Sequence, residues 1–498
     1  MSPTGPKTEQ QAIREAKRLA LIAGGTPAYP VTVPRTHSLA QVRERWGGLG
    51  AGEETEDQVS VAGRVLFIRN TGKLCFATLQ DGFTAESNGE RLQVMLSLAE
   101  VGAESLGEWK ALVDLGDFVS VTGRVIASKR GELSVLATTW RMASKALRPL
   151  PVLHTDLSEE TRVRERYADL IVRPEARDAL RLRSKATKAI RDFLDEEGFL
   201  EVETPVLQLV HGGAAARPFR THLNAFDLDM TLRIALELHL KRVMVGGADR
   251  VYEIGRIFRN EGIDSTHSAE FSMLEFYAAW GDKFTVADQT RRLIQRTADV
   301  ALGRRDVSVN GQEIDLDGEW RWADLYELLS EAVGEQVTVD TDAATLRRLA
   351  DEAGVDCDPA LGPDKLALEL YGDLVEHHLV QPTFVTGYPA IAQPLAQPDA
   401  SGKRVEAWDL IIGGVERGTG FSELIDPVVQ REVLTDQSRR AAGGDLEAMQ
   451  LDEDFLHALE LGAPPMGGVG LGIDRTLMLL TDTGIRETIL FPFLRPTG

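Results

Sequence analysis

Cysteine is scarce in this sequence, with only Cys75 and Cys357 among 498 residues. This scarcity argues against a disulfide framework and against a cysteine metal site. The first residues also lack the basic, apolar and small-residue pattern of a secretory signal peptide. We therefore expect a protein of the reducing cytoplasm.

Long apolar runs are absent as well, since no stretch approaches the roughly 20 apolar residues that a membrane-spanning helix needs. The composition, with 43% hydrophobic residues, is ordinary for a globular protein. We expect no membrane partner. Because 498 residues exceed one ordinary core, we expect two or more domains.

Positive charge is in deficit, with 55 lysines and arginines against 77 acidic residues and a net charge of −22. Such a balance ordinarily argues against a nucleic-acid partner. Residues 1–50 are nevertheless locally basic, because seven basic residues outnumber three glutamates there. A polyanion could therefore bind at this end of the chain.

Four segments follow from the distribution of proline, glycine and β-type residues. Residues 1–50 contain a predicted helix over 8–22, which ends at Gly24-Gly25, and a proline-bearing connector. Residues 51–148 hold short β-type runs between turn residues, a spacing that favours a small β-barrel, with the OB-fold the leading candidate. Residues 149–162 form a proline-marked linker, and residues 163–498 form a larger second domain.

The second domain mixes helices and strands. Apolar residues recur at three and four positions over 180–194, which predicts an amphipathic helix that Gly198 ends. The segment "FLEVETPVL" alternates as a strand that ends at Pro205. A largely helical, acidic insertion is predicted at roughly 300–382, and strand-like segments return near 383–424. The final glycine-rich block is predicted to be a turn that runs into an apolar helix.

The segment "RVYEIGRIFRNEG" and the following "IDSTHSAEF" bring together a cation, a carboxylate, a histidine and an aromatic residue. These are Arg259, Glu261, His267 and Phe271. Nucleotide binding uses all of these types, because arginine pairs with phosphate, an acceptor takes an adenine amino hydrogen and an aromatic ring stacks on the base. A surface salt bridge beside a core phenylalanine is the alternative.

The glycine-rich segment "GGVGLGIDR", Gly467 to Arg475, has the composition of a loop that holds a phosphate at a helix start. It lacks the lysine and hydroxyl residue of a Walker loop and the flanking features of a dinucleotide fingerprint. Glycines needed only for helix packing are the alternative.

The apolar stretch "WDLIIGGVERGTGFSEL" contains three carboxylates, Asp409, Glu416 and Glu423. Carboxylates on near-buried strands are costly unless a cation pairs with them, which indicates Mg²⁺ or a cationic substrate. A structural salt bridge to Arg404 or Arg417 is the alternative. A neighbouring strand pattern, "FSMLEFYAAW", adds Glu275 and Tyr277 on one side.

The predicted barrel offers Arg69, Phe76, Gln93 and Glu132 as a polar and aromatic set. An aromatic ring with polar neighbours on an OB-fold surface suits stacking of unpaired bases. A core phenylalanine in a β-barrel is the commoner situation.

Taken in order, these segments resemble the class II aminoacyl-tRNA synthetases, and specifically the bacterial-type lysyl-tRNA synthetases. The first class motif matches "GFLEVETPVL" with Pro205, the second matches "FRNEG" through "HSAEF", and the third matches "GVGLGIDR". Further matches to that family are "LELHLKRVMVGG", "VVQRE" and "RETILFPFLRP". The resemblance covers nearly the whole chain. It implies an α+β fold, in which an OB-fold anticodon-binding barrel precedes an antiparallel class II sheet flanked by helices.

The resemblance implies the roles of the ATP-binding residues. Arg259 would contact the α-phosphate and the amino-acid carboxylate, and Glu261 would accept from the adenine amino group. His267 would approach the γ-phosphate and Phe271 would stack on adenine. Arg475 would cover the other face of the base and the γ-phosphate, and Arg259 and Arg475 are the expected catalytic residues.

The resemblance also implies the remaining sites and partners. The lysine pocket would comprise Gly213, Glu237, Glu275, Tyr277, Phe421 and Glu423. Asp409 and Glu416 would hold Mg²⁺, with Glu416 also at the ATP site, and Arg69, Phe76, Gln93 and Glu132 would contact the anticodon. The implied partners are lysine, ATP and lysine tRNA. A homodimer is expected, with its two-fold interface at the first motif.

Several positions depart from the family pattern. Leu236 stands where a proline is usual, Thr266 and Ala269 replace an arginine and a proline, and Thr419 replaces an asparagine. Ile391 and Gln397 stand where acidic and basic residues are common. Two alternatives to a lysine–tRNA ligase therefore stay open: a duplicated copy that transfers lysine or an analogue to another acceptor, and a silent RNA-binding copy.

Overall fold

The computed structural model describes residues 7–151, 157–445 and 448–496. The chain divides into two compact units, residues 1–181 and 182–498. The centre of the predicted linker, residues 152–156, lies outside the described residues. Among the helices of the described ranges, none combines the length and apolarity needed to cross a membrane.

The described part of the first unit contains five strands and several short helices. The helices are α1 (Glu9–Ala23), α2 (Leu39–Trp46), α3 (Leu98–Val101), α4 (Ala103–Leu112), α5 (Glu159–Arg164) and α6 (Arg166–Val172). The strands are β1 (Glu54–Asn70), β2 (Leu74–Gln80), β3 (Arg91–Ser97), β4 (Phe118–Ala127) and β5 (Leu133–Ser144). They close into a barrel in the order β1-β2-β3-β5-β4, which confirms the predicted small barrel.

Local sequence signals account for the first helix and for the barrel interior. Thr8 and Gln11 form a capping box at the start of α1, and Gly24 caps its end, as predicted. Alternate residues of the strands, such as Val94 and Leu96 on β3, are fully buried in the barrel. Alternate side chains of a strand therefore point into the barrel core, and those between them point to its outer face.

The second unit is built on an eight-stranded sheet with helices on its faces. Its helices are α7 (Pro174–Glu196, beginning in the first unit), α8 (Glu237–Val245), α9 (Lys283–Leu302), α10 (Leu325–Val333), α11 (Ala343–Ala353), α12 (Pro363–Leu374), α13 (Pro427–Ala442), α14 (Glu453–Glu460), α15 (Ile473–Thr481) and α16 (Ile485–Thr488), with a 3₁₀ turn at Glu376–His378.

The strands of this unit include ten short to medium segments and three longer ones. They are β6 (Leu200–Glu201), β7 (Leu207–Gln208), β8 (Arg220–Leu223), β9 (Leu228–Leu232), β10 (Arg250–Phe258), β11 (Glu270–Ala279), β12 (Asp306–Val309), β13 (Gln312–Asp315), β14 (Arg321–Asp324), β15 (Thr383–Thr386), β16 (Ala407–Ile412), β17 (Val415–Ser422) and β18 (Met466–Gly472). The large sheet has the order β14-β15-β16-β17-β18-β11-β10-β6.

The sheet is mixed, whereas the sequence predicted an antiparallel one. Its inner strands pair antiparallel, but β14 pairs parallel with β15, and β6 pairs parallel with β10. Parallel neighbours need a long crossover, and helices α10 to α12 provide one between β14 and β15. The predicted insertion at 300–382 is therefore only partly helical, because it also supplies β14 to the sheet and the hairpin β12–β13.

One predicted strand of the second unit is shorter than expected, and one predicted turn is wrong. The strand "FLEVETPVL" is reduced to β6, because the Thr204 backbone N–H donates to the Glu253 side chain over 3.0 Å and Pro205 has no N–H. The glycine-rich segment is strand β18 rather than a turn, since it pairs with β11 on one side and β17 on the other.

Candidate active site

Two adjoining cavities lie along the central strands of the sheet. The larger has a volume of about 330 Å³ and the smaller about 140 Å³. Both are lined by Arg259, Met273, Glu416, Thr419 and Gly470. Arg259 follows the last residue of β10, so the strand ends by placing a guanidinium at the junction between the cavities.

Besides Glu416, three buried glutamates from different elements line the larger cavity. Glu237 is the first residue of α8, Glu275 lies on β11, and Glu423 follows the last residue of β17. All three side chains are buried. Such a group of carboxylates is costly without cations, so the cavity is suited to a molecule with positive charge.

Glu275 is held by two hydrogen bonds. Its Oε1 accepts from the Leu236 backbone N–H over 2.8 Å, and its Oε2 accepts from the Tyr277 hydroxyl over 3.2 Å. Burial, together with the charge of Glu237, raises the pKa of Glu275 to about 8 in spite of these bonds. A bound cation would favour its ionised form.

Glu423 is paired with Lys241 of α8, a residue that the sequence analysis did not single out. The Lys241 ammonium also lies 2.7 Å from Oε1 of Glu237. Burial is the main reason that the pKa of Glu423 rises to about 8, although Lys241 opposes this shift. The i,i+4 spacing of Glu237 and Lys241 at a helix start could have revealed that pair, but no local signal connects Lys241 with Glu423.

Glycines and one aromatic residue shape the walls of the larger cavity. Gly213 has a φ of +87°, a conformation that favours glycine. The ring of Phe421 is buried and lines the cavity. A Cβ on Gly468 would overlap Oε1 of Glu423 and the ring of Tyr277. Gly468 therefore allows close packing around the carboxylates, whereas Gly467 allows the close approach of α9, in agreement with the helix-packing alternative.

The smaller cavity brings together the residues predicted to bind a nucleotide. It is lined by Arg259, Glu261, His267, Phe271, Glu416 and Arg475. The Arg259 guanidinium lies 5.4 Å from the centre of the Phe271 ring. The described residues include no ion pair between Arg259 and Glu261, so the alternative of a simple surface salt bridge is not supported. Oε1 of Glu261 instead accepts from the Arg217 backbone N–H over 3.2 Å.

His267 is oriented by neighbours on both ring nitrogens. Its Nδ1 lies 2.9 Å from Oδ2 of Asp264, and its Nε2 lies 3.4 Å from Nη2 of Arg475. Because arginine can only donate, this arrangement assigns the hydrogen to Nδ1 and leaves Nε2 as an acceptor. Arg475 also donates to the Glu416 carbonyl oxygen over 3.0 Å, which ties α15 to β17.

Asp409 and Glu416 are the residues predicted to hold a metal. Asp409 lies on β16 opposite Thr419, and its Oδ1 is buried without a hydrogen-bond partner among the described residues. Burial and then the charge of Glu416 raise the pKa of Asp409 to about 7. Within the described ranges no group of three or more histidine, cysteine or acidic side chains is placed to hold a metal ion. The orphaned oxygen of Asp409 and the nearby charge of Glu416 nevertheless fit a cation that is held by these two carboxylates and completed by other ligands.

The alternative partners considered for these carboxylates are engaged elsewhere. Arg404 pairs with Asp324 over 2.7 Å. Arg417 donates to the carbonyl oxygens of Ile412 and Arg475 over 3.0 and 2.9 Å. The proposed structural salt bridges to Arg404 or Arg417 are therefore wrong.

The four barrel residues lie on its outer side. Arg69 on β1 pairs across the ladder with Phe76 on β2, and its guanidinium lies 4.8 Å from the centre of that ring. Phe76 is half-buried and outside the barrel core, so the commoner situation of a core phenylalanine does not hold. Gln93 donates to Oγ of Ser134 over 2.8 Å, and the exposed Glu132 precedes β5.

Comparison with known proteins agrees with this architecture. Residues 158–495 match the model for class II tRNA synthetases (D, K and N), and residues 59–143 match the OB-fold nucleic acid binding domain. A barrel followed by a helix-flanked mixed sheet is thus a class II tRNA synthetase arrangement.

Individual relatives are more specific. The lysine–tRNA ligase 1 of Mycobacterium tuberculosis is 56% identical over 98% of this chain and 97% of its own length. The lysine–tRNA ligase of Kineococcus radiotolerans is 55% identical with the same coverage of both chains. The lysylphosphatidylglycerol biosynthesis bifunctional protein LysX of Mycobacterium ulcerans is 45% identical over 98% of this chain but 44% of its own length. The chain belongs to the lysine–tRNA ligase family and is an ATP-dependent ligase of the class II synthetases.

Proposed function

We propose that this enzyme activates L-lysine with ATP to form lysyl-adenylate and then transfers the lysyl group to the 3′ end of lysine tRNA. The observation that carries the proposal is the larger cavity, in which three buried glutamates lie beside a junction with the smaller cavity. Lysine has two ammonium groups and one carboxylate, which suits several carboxylates at one end and Arg259 at the other.

The lysine pocket is assigned by charge. Glu423 would pair with the ε-ammonium, and Tyr277, whose hydrogen is donated to Glu275, would offer its hydroxyl oxygen to the same group. Glu237 and Glu275 are left for the α-ammonium. An apolar amino acid would leave buried carboxylates unpaired, at a cost of several kcal/mol. Phe421 would pack along the aliphatic part of lysine.

The nucleotide is assigned to the smaller cavity. Phe271 would stack on adenine with Arg475 on the other face, and Glu261 would accept from the adenine amino group. The hydrogen on Nδ1 leaves Nε2 of His267 without a proton, so a γ-phosphate contact by this histidine requires protonation or a bridging water. Arg475 would contact that phosphate directly.

Chemistry would take place at Arg259. The lysine carboxylate oxygen attacks the α-phosphorus of ATP, the bond to the β-phosphate oxygen breaks, and pyrophosphate leaves with the electron pair. Arg259 would stabilise the charge that develops on the α-phosphoryl oxygens, and positioning of the two substrates would supply much of the acceleration. A terminal ribose hydroxyl of the tRNA then attacks the lysyl carbonyl carbon and AMP leaves.

Asp409 and Glu416 would hold Mg²⁺ in this arrangement. The unpartnered Oδ1 of Asp409 supports that assignment. The ion, when bound, supplies positive charge to the phosphate oxygens. Holding it between β16 and β17 would keep it near the junction at Arg259, because Glu416 lines both cavities.

The remaining assignments concern partners and boundaries. Arg69, Phe76, Gln93 and Glu132 would contact the tRNA anticodon on the outer side of the barrel. We propose an N-terminal segment 1–50, an anticodon domain 51–148, a linker 149–162 and a catalytic domain 163–498. A homodimer through the first class motif and a cytoplasmic location complete the proposal.

The test is pyrophosphate exchange with each of the twenty amino acids and with ornithine, followed by charging of lysine tRNA. Lysine-specific exchange and charging are expected, and Glu423→Ala should lose both. Exchange without charging would favour transfer to another acceptor, a possibility raised by the similarity to the bifunctional LysX protein. Absence of lysine-dependent exchange would contradict the proposal.

A further inference from the structure

Lys241 is a buried cation that stands behind the larger cavity. Its side chain is 1% exposed, and its Nζ contacts Glu237 and Glu423 and donates to the Leu395 carbonyl oxygen over 3.2 Å. Both glutamates line the cavity, whereas Lys241 is not among its lining residues. Lys241 therefore acts on a bound molecule without touching it, and the two carboxylates are its charged contacts at the cavity wall.

We propose that Lys241 is a positioning residue for lysine activation, whose ammonium favours the ionised forms of Glu237 and Glu423 and directs these carboxylates at the substrate's ammonium groups. The inference rests on the proposed function and deepens it. It explains how a pocket with three buried carboxylates can bind the two ammonium groups of lysine next to a cation that belongs to the protein.

The charges of the pocket support this role. The three buried glutamates face two protein cations, Lys241 and Arg259, while Glu416, which also lines the cavity, lies 3.5 Å from the Arg475 guanidinium. With all three buried glutamates ionised, the empty cavity would carry one negative charge. Bound lysine carries two positive charges and one negative charge, so its net charge neutralises the pocket. Without Lys241 a second negative charge would remain, and buried carboxylates respond to such an excess by taking up protons.

The geometry leaves room for the substrate at Glu423. The Lys241 ammonium is close to this carboxylate, but neither Glu423 oxygen accepts an aligned hydrogen bond from the described residues. Lys241 therefore supplies charge while the acceptor capacity of Glu423 stays available. A substrate ammonium in the cavity can take those hydrogen bonds, since each carboxylate oxygen offers two lone pairs.

The protonation of Glu423 depends on the charged and titratable side chains that surround it. Those that face Glu423 from the surrounding elements are Lys241 and Glu237 on α8, and Glu275 and Tyr277 on β11. Arg259 acts on Glu275 from the end of β10. Burial alone would lower the pKa of Lys241, but the charges of Glu237 and Glu423 raise it above its ordinary value. The ammonium thus stays charged across the neutral pH range.

The experiment compares the full-length enzyme with Lys241→Met in lysine-dependent pyrophosphate exchange at pH 7 and pH 9. We expect the KM for lysine to rise on the order of 100-fold at pH 7, because loss of the Lys241 charge raises the pKa of Glu423 further and makes its ionised form rarer. Alkaline pH restores the ionised form of Glu423. The KM of Lys241→Met divided by that of the unaltered enzyme should therefore be lower at pH 9 than at pH 7 by about fivefold or more. The KM for ATP and the kcat at saturating lysine should stay within about threefold.

Lys145→Met is a matched control. Lys145 of the first unit is also buried, contacts Asp114 at 2.6 Å and Asp117 at 2.7 Å, and donates to the Leu112 carbonyl oxygen. Replacing Lys145 breaks a buried ion pair and should therefore lower the melting temperature. It should leave the KM for lysine, and the pH dependence of that KM, unchanged. A KM for Lys241→Met within about twofold of the unaltered enzyme, or a ratio that does not change with pH, would overturn the proposal.

A measurement on the unaltered enzyme decides the question if Lys241→Met does not fold. Calorimetric titration with lysine at pH 7, in buffers of different ionisation enthalpy, should show release of about two protons, since Glu275 and Glu423 retain theirs below about pH 8 in the empty pocket. Release of none would mean that all three glutamates are already ionised, and release of three would mean that Lys241 does not keep Glu237 ionised. Either result overturns the proposal. Absence of lysine-dependent exchange in the unaltered enzyme would instead contradict the proposed function.

Discussion

The backbone N–H of Leu236 donates to Oε1 of Glu275 over 2.8 Å, at the start of α8. A proline, the residue usual at this position in the family that the sequence resembles, could not make this bond because it has no N–H. The bond favours the ionised form of Glu275 and opposes the rise in its pKa. Leucine in place of proline at position 236 thus stabilises the ionised form of Glu275, the carboxylate that we assign to the substrate's α-ammonium.

Replacing Leu236 with proline should therefore weaken lysine binding. A hydrogen bond to a charged group contributes about 1.5–3 kcal/mol, so Leu236→Pro should raise the KM for lysine about tenfold or more. Leu236→Ala is the control, since it loses the buried side chain but retains the N–H. Pyrophosphate exchange measures both variants, and equal KM values would contradict the importance of the bond.

Substitution of Gly468 tests the close packing around Glu423. A Cβ on this residue would overlap Oε1 of Glu423 and the ring of Tyr277, so Gly468→Ala should lower kcat/KM for lysine on the order of 100-fold. Gly470→Ala on the same strand is the comparison, because its Cβ would lie 3.9 Å from its nearest neighbours. We expect its effect to be smaller by about tenfold or more, and similar losses in both variants would show that strand β18 is simply intolerant of side chains.

The pH dependence of lysine binding follows from the two glutamates with raised pKa values. Glu275 and Glu423 each have a pKa of about 8 in the empty enzyme, so below that pH the pocket retains protons. Because a protonated carboxyl cannot pair with an ammonium, the KM for lysine should fall as pH rises from 6 to about 8 and then level off. Exchange rates at varied lysine concentration measure this profile, and a flat KM would contradict it.

The stability of the empty enzyme should change in the opposite direction. A carboxyl whose pKa is raised by folding contributes stability that is fully present below its unfolded pKa, near 4.5, and is lost as pH rises through about 8. The melting temperature without ligand should therefore fall over this interval. Added lysine should raise it more at pH 8 than at pH 6, whereas an equal shift at both values would argue against titration of these glutamates.

Phe76, on the outer side of the barrel, should affect the charging of tRNA but not the activation of lysine. Base stacking on an aromatic ring contributes about 1–3 kcal/mol, so Phe76→Leu should lower kcat/KM for charging lysine tRNA about tenfold. Phe76→Tyr keeps the ring and should retain most of the activity. Pyrophosphate exchange without tRNA should be unchanged in both variants, and a matching loss of exchange would point to misfolding instead.

The sequence by itself determined the elements whose signals are local. Helix α1 begins at a capping box and ends at Gly24, and the amphipathic period over 180–194 lies within α7. Alternation and turn residues likewise predicted the barrel. The same local reasoning failed for β18, because glycine by itself favours a turn, whereas pairing with β11 and β17 on both sides holds this segment extended.

The tertiary structure alone decided how the charges are shared. Lys241 and Glu423 are far apart along the chain, and they meet because α8 packs on β10 and β11, which brings Lys241 to Glu423 just after the end of β17. Glu275 acquires a partner from Leu236 for the same reason. Residue types and motifs could indicate that carboxylates and cations are present. Which carboxylate is held by the protein and which oxygens remain for a substrate depends on distances that only packing fixes.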